Sequence, residues 1–374
     1  MGHDIFEISI NAIKLIVVFL IIVQAVPVLV WLERRGSAFI QNRLGPNRIG
    51  PLGLLQLAAD AVKFFFKEEF APANAVKVLY YAAPIFALIP ATLAFAAIPL
   101  GQPVQWNEYL FRVQGYEINV GIVFVLAVSS LAPYSILMAG WGSGNKYALM
   151  GALRASAQVI SYELALGLSI VGMIMLYGTF NMSDMILAQQ APLAYSFMGT
   201  TITAPSWLPG WGIFYQPLGA IIFFAASFAE SNRLPFDLAE GEAELVAGFH
   251  VEYGGFKMLL FFIGEYGHMI VASALMVLFY FGGYAIPGLS MADLNQWATD
   301  HASSANLASL MVGLITFAVF MAKVALFLWF FIQVRWTLPR FRYDQLMDLG
   351  WKTMLPWALF NTILTATFIY VAHI

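Results

Sequence analysis

Eight apolar runs punctuate this chain, near residues 8–32, 78–98, 118–140, 147–178, 211–230, 256–283, 306–333 and 352–373. A helix crosses the hydrocarbon core of a bilayer with roughly 20 apolar residues, and each run comes close to that length. Composition agrees. A soluble domain carries about 25% charged residues, whereas 10% of these 374 residues are charged and 61% are hydrophobic. The expected fold is all-α: a polytopic membrane protein of about eight transmembrane helices, in a single integral membrane domain over residues 1–374.

One segment breaks the pattern. GLLQLAADAVKFFFKEEF, opening at Gly53, repeats Leu54, Leu57, Ala61, Phe64 and Phe65 at helical spacing, but Asp60, Lys63, Lys67 and Glu68 interrupt it. It is too polar to span and reads as an amphipathic helix over about 53–69, lying at the interface. Loop charges give the orientation. The first loop is assigned Arg34, Arg35, Arg43, Arg48, Lys63, Lys67 and Lys77, the third Lys146, the fifth Arg233, and the seventh Arg335, Arg340, Arg342 and Lys352. The even loops hold only Arg112. The odd loops are therefore expected on the cytoplasmic side of a bacterial inner membrane, with both termini opposite. The start, MGHDIFEISINAIK, lacks a basic stretch and a small-residue cleavage site, so the first apolar run reads as a retained helix.

Several functions are excluded or disfavoured. Without cysteine, the chain holds no thiolate-bound zinc, iron–sulfur cluster or disulfide. His3, His250, His268, His301 and His373 form no pair at helical ligand spacing, so no metal site is expected. Eighteen basic against 21 acidic residues give no positive patch for nucleic acid. GWGSGNKYALMG from Gly140 lacks the phosphate-loop spacing. No serine has a His/Asp setting suited to nucleophilic catalysis.

The acidic residues are more informative. ESNRLPFDLAEGEAELVAGFHVEY, from Glu230, gathers Glu230, Asp237, Glu240, Glu242, Glu244 and Glu252 around a single Arg233. Asp237-x-x-Glu240 resembles a capping box that would start a short helix in this acidic cytoplasmic loop of about 231–255. A solvated acidic loop is one reading. The interleaved Leu238, Ala239, Ala243, Leu245, Val246, Ala247 and Phe249 favour burial between helices, where carboxylates share protons. Glu163, Glu265, His268 and Lys323 fall inside apolar runs, where an ionisable group costs several kcal/mol and is a functional candidate. They read either as ion pairs fixing helix register or as stations on a proton route.

Long polar strings in this apolar chain closely resemble the H-subunit family of respiratory complex I, the proton-pumping NADH:quinone oxidoreductases. They are WLERRGSAFIQNRLGPNRIGPLGLLQLAADAVKFFFKE, GWGSGNKYALMGALRASAQVISYEL, ESNRLPFDLAEGEAELVAGFHVEYGGFKMLLFFIGEY and RWTLPRFRYDQLMDLGWK. They lie between about residues 31 and 352, and the ERR and QNR spellings look bacterial. The resemblance implies a subunit with no redox centre and no chemically catalytic residue of its own, with FMN and iron–sulfur clusters in its partners and quinone as substrate. It implies proton-coupling roles for Glu33, Glu163, Glu230, Asp237, Glu240, Glu242, Glu244, Glu252 and Glu265. It also implies a quinone chamber or entrance near Arg34, Arg35, Asp60, Lys63 and Phe261. The implied partners are soluble-arm subunits, antiporter-like and small membrane subunits, quinone and the lipid bilayer, with no nucleic acid. Three rival readings are the homologous membrane subunit of a hydrogenase or formate-oxidising complex, a stand-alone ion transporter, and a purely structural anchor for the soluble arm. The transporter reading lacks the internal repeat common in such folds.

Overall fold

The structure is a computed structural model that describes residues 2–107, 109–197, 200–203, 205, 208–237 and 246–372. Its helices are α1 (Gly2–Ile40), α2 (Gln56–Phe66), α3 (Lys77–Ala97), α4 (Gly121–Ser129), α5 (Ala132–Gly142), α6 (Lys146–Tyr177), α7 (Met182–Gln189), α8 (Gly212–Tyr215), α9 (Pro217–Glu230), α10 (Gly255–Tyr280), α11 (Met291–His301), α12 (Ala305–Thr337), α13 (Tyr343–Asp348) and α14 (Leu355–Ala372). Two short antiparallel hairpins, β1 (Val104–Trp106) with β2 (Tyr109–Phe111) and β3 (Ala194–Phe197) with β4 (Thr200–Thr203), sit in even loops.

Among the described residues, seven stretches are long and apolar enough to cross a membrane: Ile10–Ile40, Lys77–Ala97, Gly121–Gly142, Lys146–Tyr177, Gly255–Tyr280, Ala305–Thr337 and Tyr343–Val371. The all-α polytopic reading holds, with one refinement. The fifth run, 211–230, forms the short α8 and the 14-residue α9. At 1.5 Å per residue α9 is about 21 Å long, short of the roughly 30 Å hydrocarbon core. The run at 118–140 is also interrupted: α4 stops at Ser129 and α5 begins at Ala132, where Pro133 supplies no N–H and suits only a first turn.

Two helices outrun their hydropathy. α1 continues to Ile40, so Glu33, Arg34 and Arg35 lie on a helix and not in the first loop. α12 continues to Thr337, which puts Arg335 in its last turn and not in the seventh loop. Apolar windows stop at the first charges, while hydrogen-bonded turns run on through them. Side chains supply several caps: Asn145 accepts from the Tyr147 N–H at the start of α6, and Ser290 and Ser304 do the same for α11 and α12.

α10 is buried along most of its length and packs against α1, α3, α9 and α12. Its close approach to α3 depends on glycine. A Cβ at Gly264 would stand 2.7 Å from the Ala87 carbonyl oxygen, the small-residue contact typical of membrane helix pairs. The main core joins α10 to α6 and α9 through Tyr162, Phe223, Phe279 and Tyr280. By contrast α2 buries none of its residues, although Phe65 lies 5.2 Å from the Phe256 ring at the start of α10.

Candidate functional site

The extended ends of α1 and α12 meet α10 at Glu33. Its side chain is buried, and it accepts a 2.6 Å hydrogen bond from the Tyr266 hydroxyl. Arg335 pairs with one of its oxygens, and Arg233 stands 4.0 Å from the other. The Arg233 guanidinium also lies 3.9 Å over the Tyr266 ring. A carboxylate withdrawn from water needs such compensation. Two cations and a phenol supply it, with the tyrosine ring adding a cation–π contact.

The acidic loop is anchored at both described ends. Asp237 is buried and binds Arg340 at 2.9 Å. Glu252 accepts 2.7 Å from the Asn145 side-chain amide, and its backbone carbonyl accepts 2.7 Å from the Tyr80 hydroxyl. Glu240, Glu242 and Glu244, with the expected capping box, lie outside the described residues.

Between these anchors, Glu230, Glu265, His268, Asn232, Ser231 and Phe261 line one cavity of about 30 Å³. That is room for one or two water molecules. The Asn232 Oδ1 and His268 Nε2 atoms in its wall are buried without a hydrogen-bond partner among the described residues. Buried polar atoms of this kind are normally satisfied by protein or by water. His250 stands 3.8 Å from Glu265. Burial pushes its imidazole down to about 3, so it is neutral at ordinary pH and the contact is not an ion pair. It is wedged between Phe249 and Phe261, with ring centroids 3.8 and 5.3 Å away.

Glu163, on α6, takes a hydrogen bond from Ser130, and Glu230, at the end of α9, lies beside Ser129. The two carboxylates are close enough to repel each other. Glu163, Glu230 and Glu265 thus follow one another through the interior, and Glu33 and Asp237 are each held by arginine.

Of the residues expected at a quinone entrance, Arg34 and Asp60 are brought together. Arg34 donates to Asp60 at 2.5 Å and Gln56 donates to the other oxygen at 2.9 Å, which fastens α2 to α1. Arg35 lies over the Trp31 ring at 5.3 Å, and Lys63 is exposed. Phe261 packs instead in the aromatic group around His250 and Tyr253. Lys323 belongs to none of these sets. Its ammonium donates to the carbonyls of Phe281, Gly283 and Ala285 at 2.8, 2.9 and 2.6 Å, capping the end of α10.

Tyr266, Ser129 and Ser130 escaped the sequence reading. Tyr266 follows Glu265 in a visible EY pair, but serines at a helix break carry no charge to betray them. Among the described residues, no three His, Asp or Glu side chains are grouped to hold a metal.

Fold and site define a polytopic helical membrane protein whose interior holds a succession of buried and half-buried carboxylates. The sequence pattern of the NADH dehydrogenase family matches residues 13–366. The H subunit of the NADH-quinone oxidoreductase of Bdellovibrio bacteriovorus is 71% identical over the whole of both chains. The corresponding H 1 subunit of Cytophaga hutchinsonii is 45% identical over 89% of each chain, and that of Geobacter metallireducens 43% over 96% of each. The chain belongs to the NADH dehydrogenase family.

Proposed function

We propose that the chain is the membrane-embedded H subunit of a proton-pumping NADH:quinone oxidoreductase. In this reading it walls the membrane side of the quinone chamber and joins quinone reduction to proton movement through its internal carboxylates. Soluble-arm subunits carry the FMN and iron–sulfur centres, antiporter-like and small membrane subunits lie alongside, and the odd loops face the cytoplasm. The observation that carries the reading is the cavity shared by Glu230 and Glu265, with Glu163 within electrostatic reach of Glu230.

Two carboxylates that feel each other do not titrate independently, because a proton on one changes the cost of charge on the other. Quinone reduction adds two electrons and draws two protons, so it alters the field at the nearest acid. Protonation of Glu265 or Glu230 then changes Glu163 in turn, and loops bearing the remaining acids carry the change onward. Each station needs only a carboxylate, a hydroxyl or a water, and the cavity has space for the water. At the bilayer side, α2 with Phe64, Phe65 and Phe66 forms an apolar slot for an isoprenoid tail, held on α1 by the Arg34–Asp60 pair.

The test is replacement of Glu163 or Glu230 by Gln in membranes holding the assembled enzyme. The expected result is a loss of roughly tenfold or more in proton-coupled turnover, about 1.4 kcal/mol of barrier. Normal pumping and normal quinone reduction in both variants would remove the reading.

A further inference from the structure

The break between α4 and α5 sets two serines side by side. Ser129 ends α4, and Ser130 follows before α5 begins at Ala132. Neighbouring helical residues point about 100° apart, so the two hydroxyls serve different helices. Ser129 lies beside Glu230 on α9, and Ser130 bonds Glu163 on α6. One dipeptide therefore lies against both carboxylates.

Ser130 has one hydrogen and two acceptors. Its Oγ lies 2.8 Å from the Leu126 carbonyl oxygen as well as against Glu163 Oε1. A serine hydroxyl donates once and accepts through two lone pairs. An ionised Glu163 can only accept, so the serine hydrogen points to it. When Glu163 takes a proton, its own O–H donates to Ser130 Oγ, and the serine hydrogen turns to the Leu126 carbonyl. No covalent bond of the serine is made or broken; the hydroxyl rotates. Both states keep every donor matched to an acceptor.

We propose that Ser130 is a positioning residue, a hydroxyl rotor that keeps Glu163 in one place whether it is ionised or protonated. This inference rests on the proton-handling reading above. Of the charged groups on elements packed against α6, Glu230 presses on Glu163. Lys352 is paired with Asp348 at the surface, Asp344 with Arg342, and His250 faces Glu265.

The test uses the assembled enzyme in proteoliposomes, with Ser130→Ala, Ser130→Thr and Glu163→Gln compared for turnover against pH and for protons moved per quinone reduced. Ser130→Ala is expected to displace the pH profile by about one unit, the size of one hydrogen bond to a charged group. Ser130→Thr, which keeps the hydroxyl, is expected to restore it. An unmoved profile in Ser130→Ala alongside a defective Glu163→Gln overturns the rotor and leaves the wider reading standing. A displaced profile that Thr does not restore also overturns it, since that result marks a packing role. An unaffected Glu163→Gln also overturns the rotor, and the wider reading falls with it when Glu230→Gln is unaffected as well. Should Ser130→Ala fail to assemble, Ser130→Cys decides by the same criteria, because its thiol is a poor donor of nearly the same shape.

Discussion

The Tyr266 hydroxyl donates a 2.6 Å hydrogen bond to Glu33 across 233 residues of sequence, tying the central helix α10 to the C-terminal part of α1. Tyr266→Phe removes one donor to a charged acceptor, an expected loss of about 1.5–3 kcal/mol. Glu33→Ala does more, because it leaves Arg335 and Arg233 without their buried counter-charge, about 3–5 kcal/mol. Heat inactivation of the assembled enzyme should rank the three proteins wild type, Tyr266→Phe, Glu33→Ala in falling order.

His250 predicts an acid-sensitive fold. Its folded value, about 3, lies below the roughly 6.5 of an unfolded histidine, so between those values the unfolded chain binds the extra proton. The contribution is fully present above the unfolded value and is lost as pH falls through the window, by about 1.4 kcal/mol per unit. Heat inactivation followed from pH 7 to 4.5 should steepen in the wild type and flatten in His250→Asn.

Lys323 stabilises the turn after α10 through three carbonyls, and its three donors match them one for one. Lys323→Met leaves all three acceptors short of a partner, at about 1–3 kcal/mol each where no water replaces the ammonium. Hydrogen exchange of the amides at 281–289 should accelerate, while exchange at α2 stays unchanged. Equal rates at 281–289 in both proteins would contradict the capping role.

Two ion pairs of similar length should respond differently to neutralisation. Arg34–Asp60 has side chains 48% and 27% exposed, whereas the Asp237 side chain of the Arg340 pair is 6% exposed. Asp60→Asn is expected to alter stability by less than about 1 kcal/mol. Asp237→Asn should cost more, toward the 3–5 kcal/mol of a broken buried pair. Under the proposed entrance, Asp60→Asn also raises the KM for long-tailed quinones more than for short-tailed ones.

Hydropathy was enough to locate the long helices, because spanning segments announce themselves by length and apolarity. It misjudged the ends of α1 and α12, where Glu33 and Arg335 look like loop charges until their mutual pairing is seen. The interior acids Glu163 and Glu265 were visible because a charge inside an apolar run is conspicuous. Which acids share a cavity was not visible, since the place of Glu230 beside the cavity lined by Glu265 and His268 depends on how α9 and α10 pack. The serine pair at 129–130 was hidden for a different reason: one hydroxyl among many carries no signal until a carboxylate from another helix arrives beside it.

The short α9 has an electrical consequence. Among the described residues seven stretches are long enough to cross the hydrocarbon core, but a helix of about 21 Å leaves close to a third of that path unfilled by its own backbone. Wherever water fills that remainder, the transmembrane voltage drops over a thinner wall.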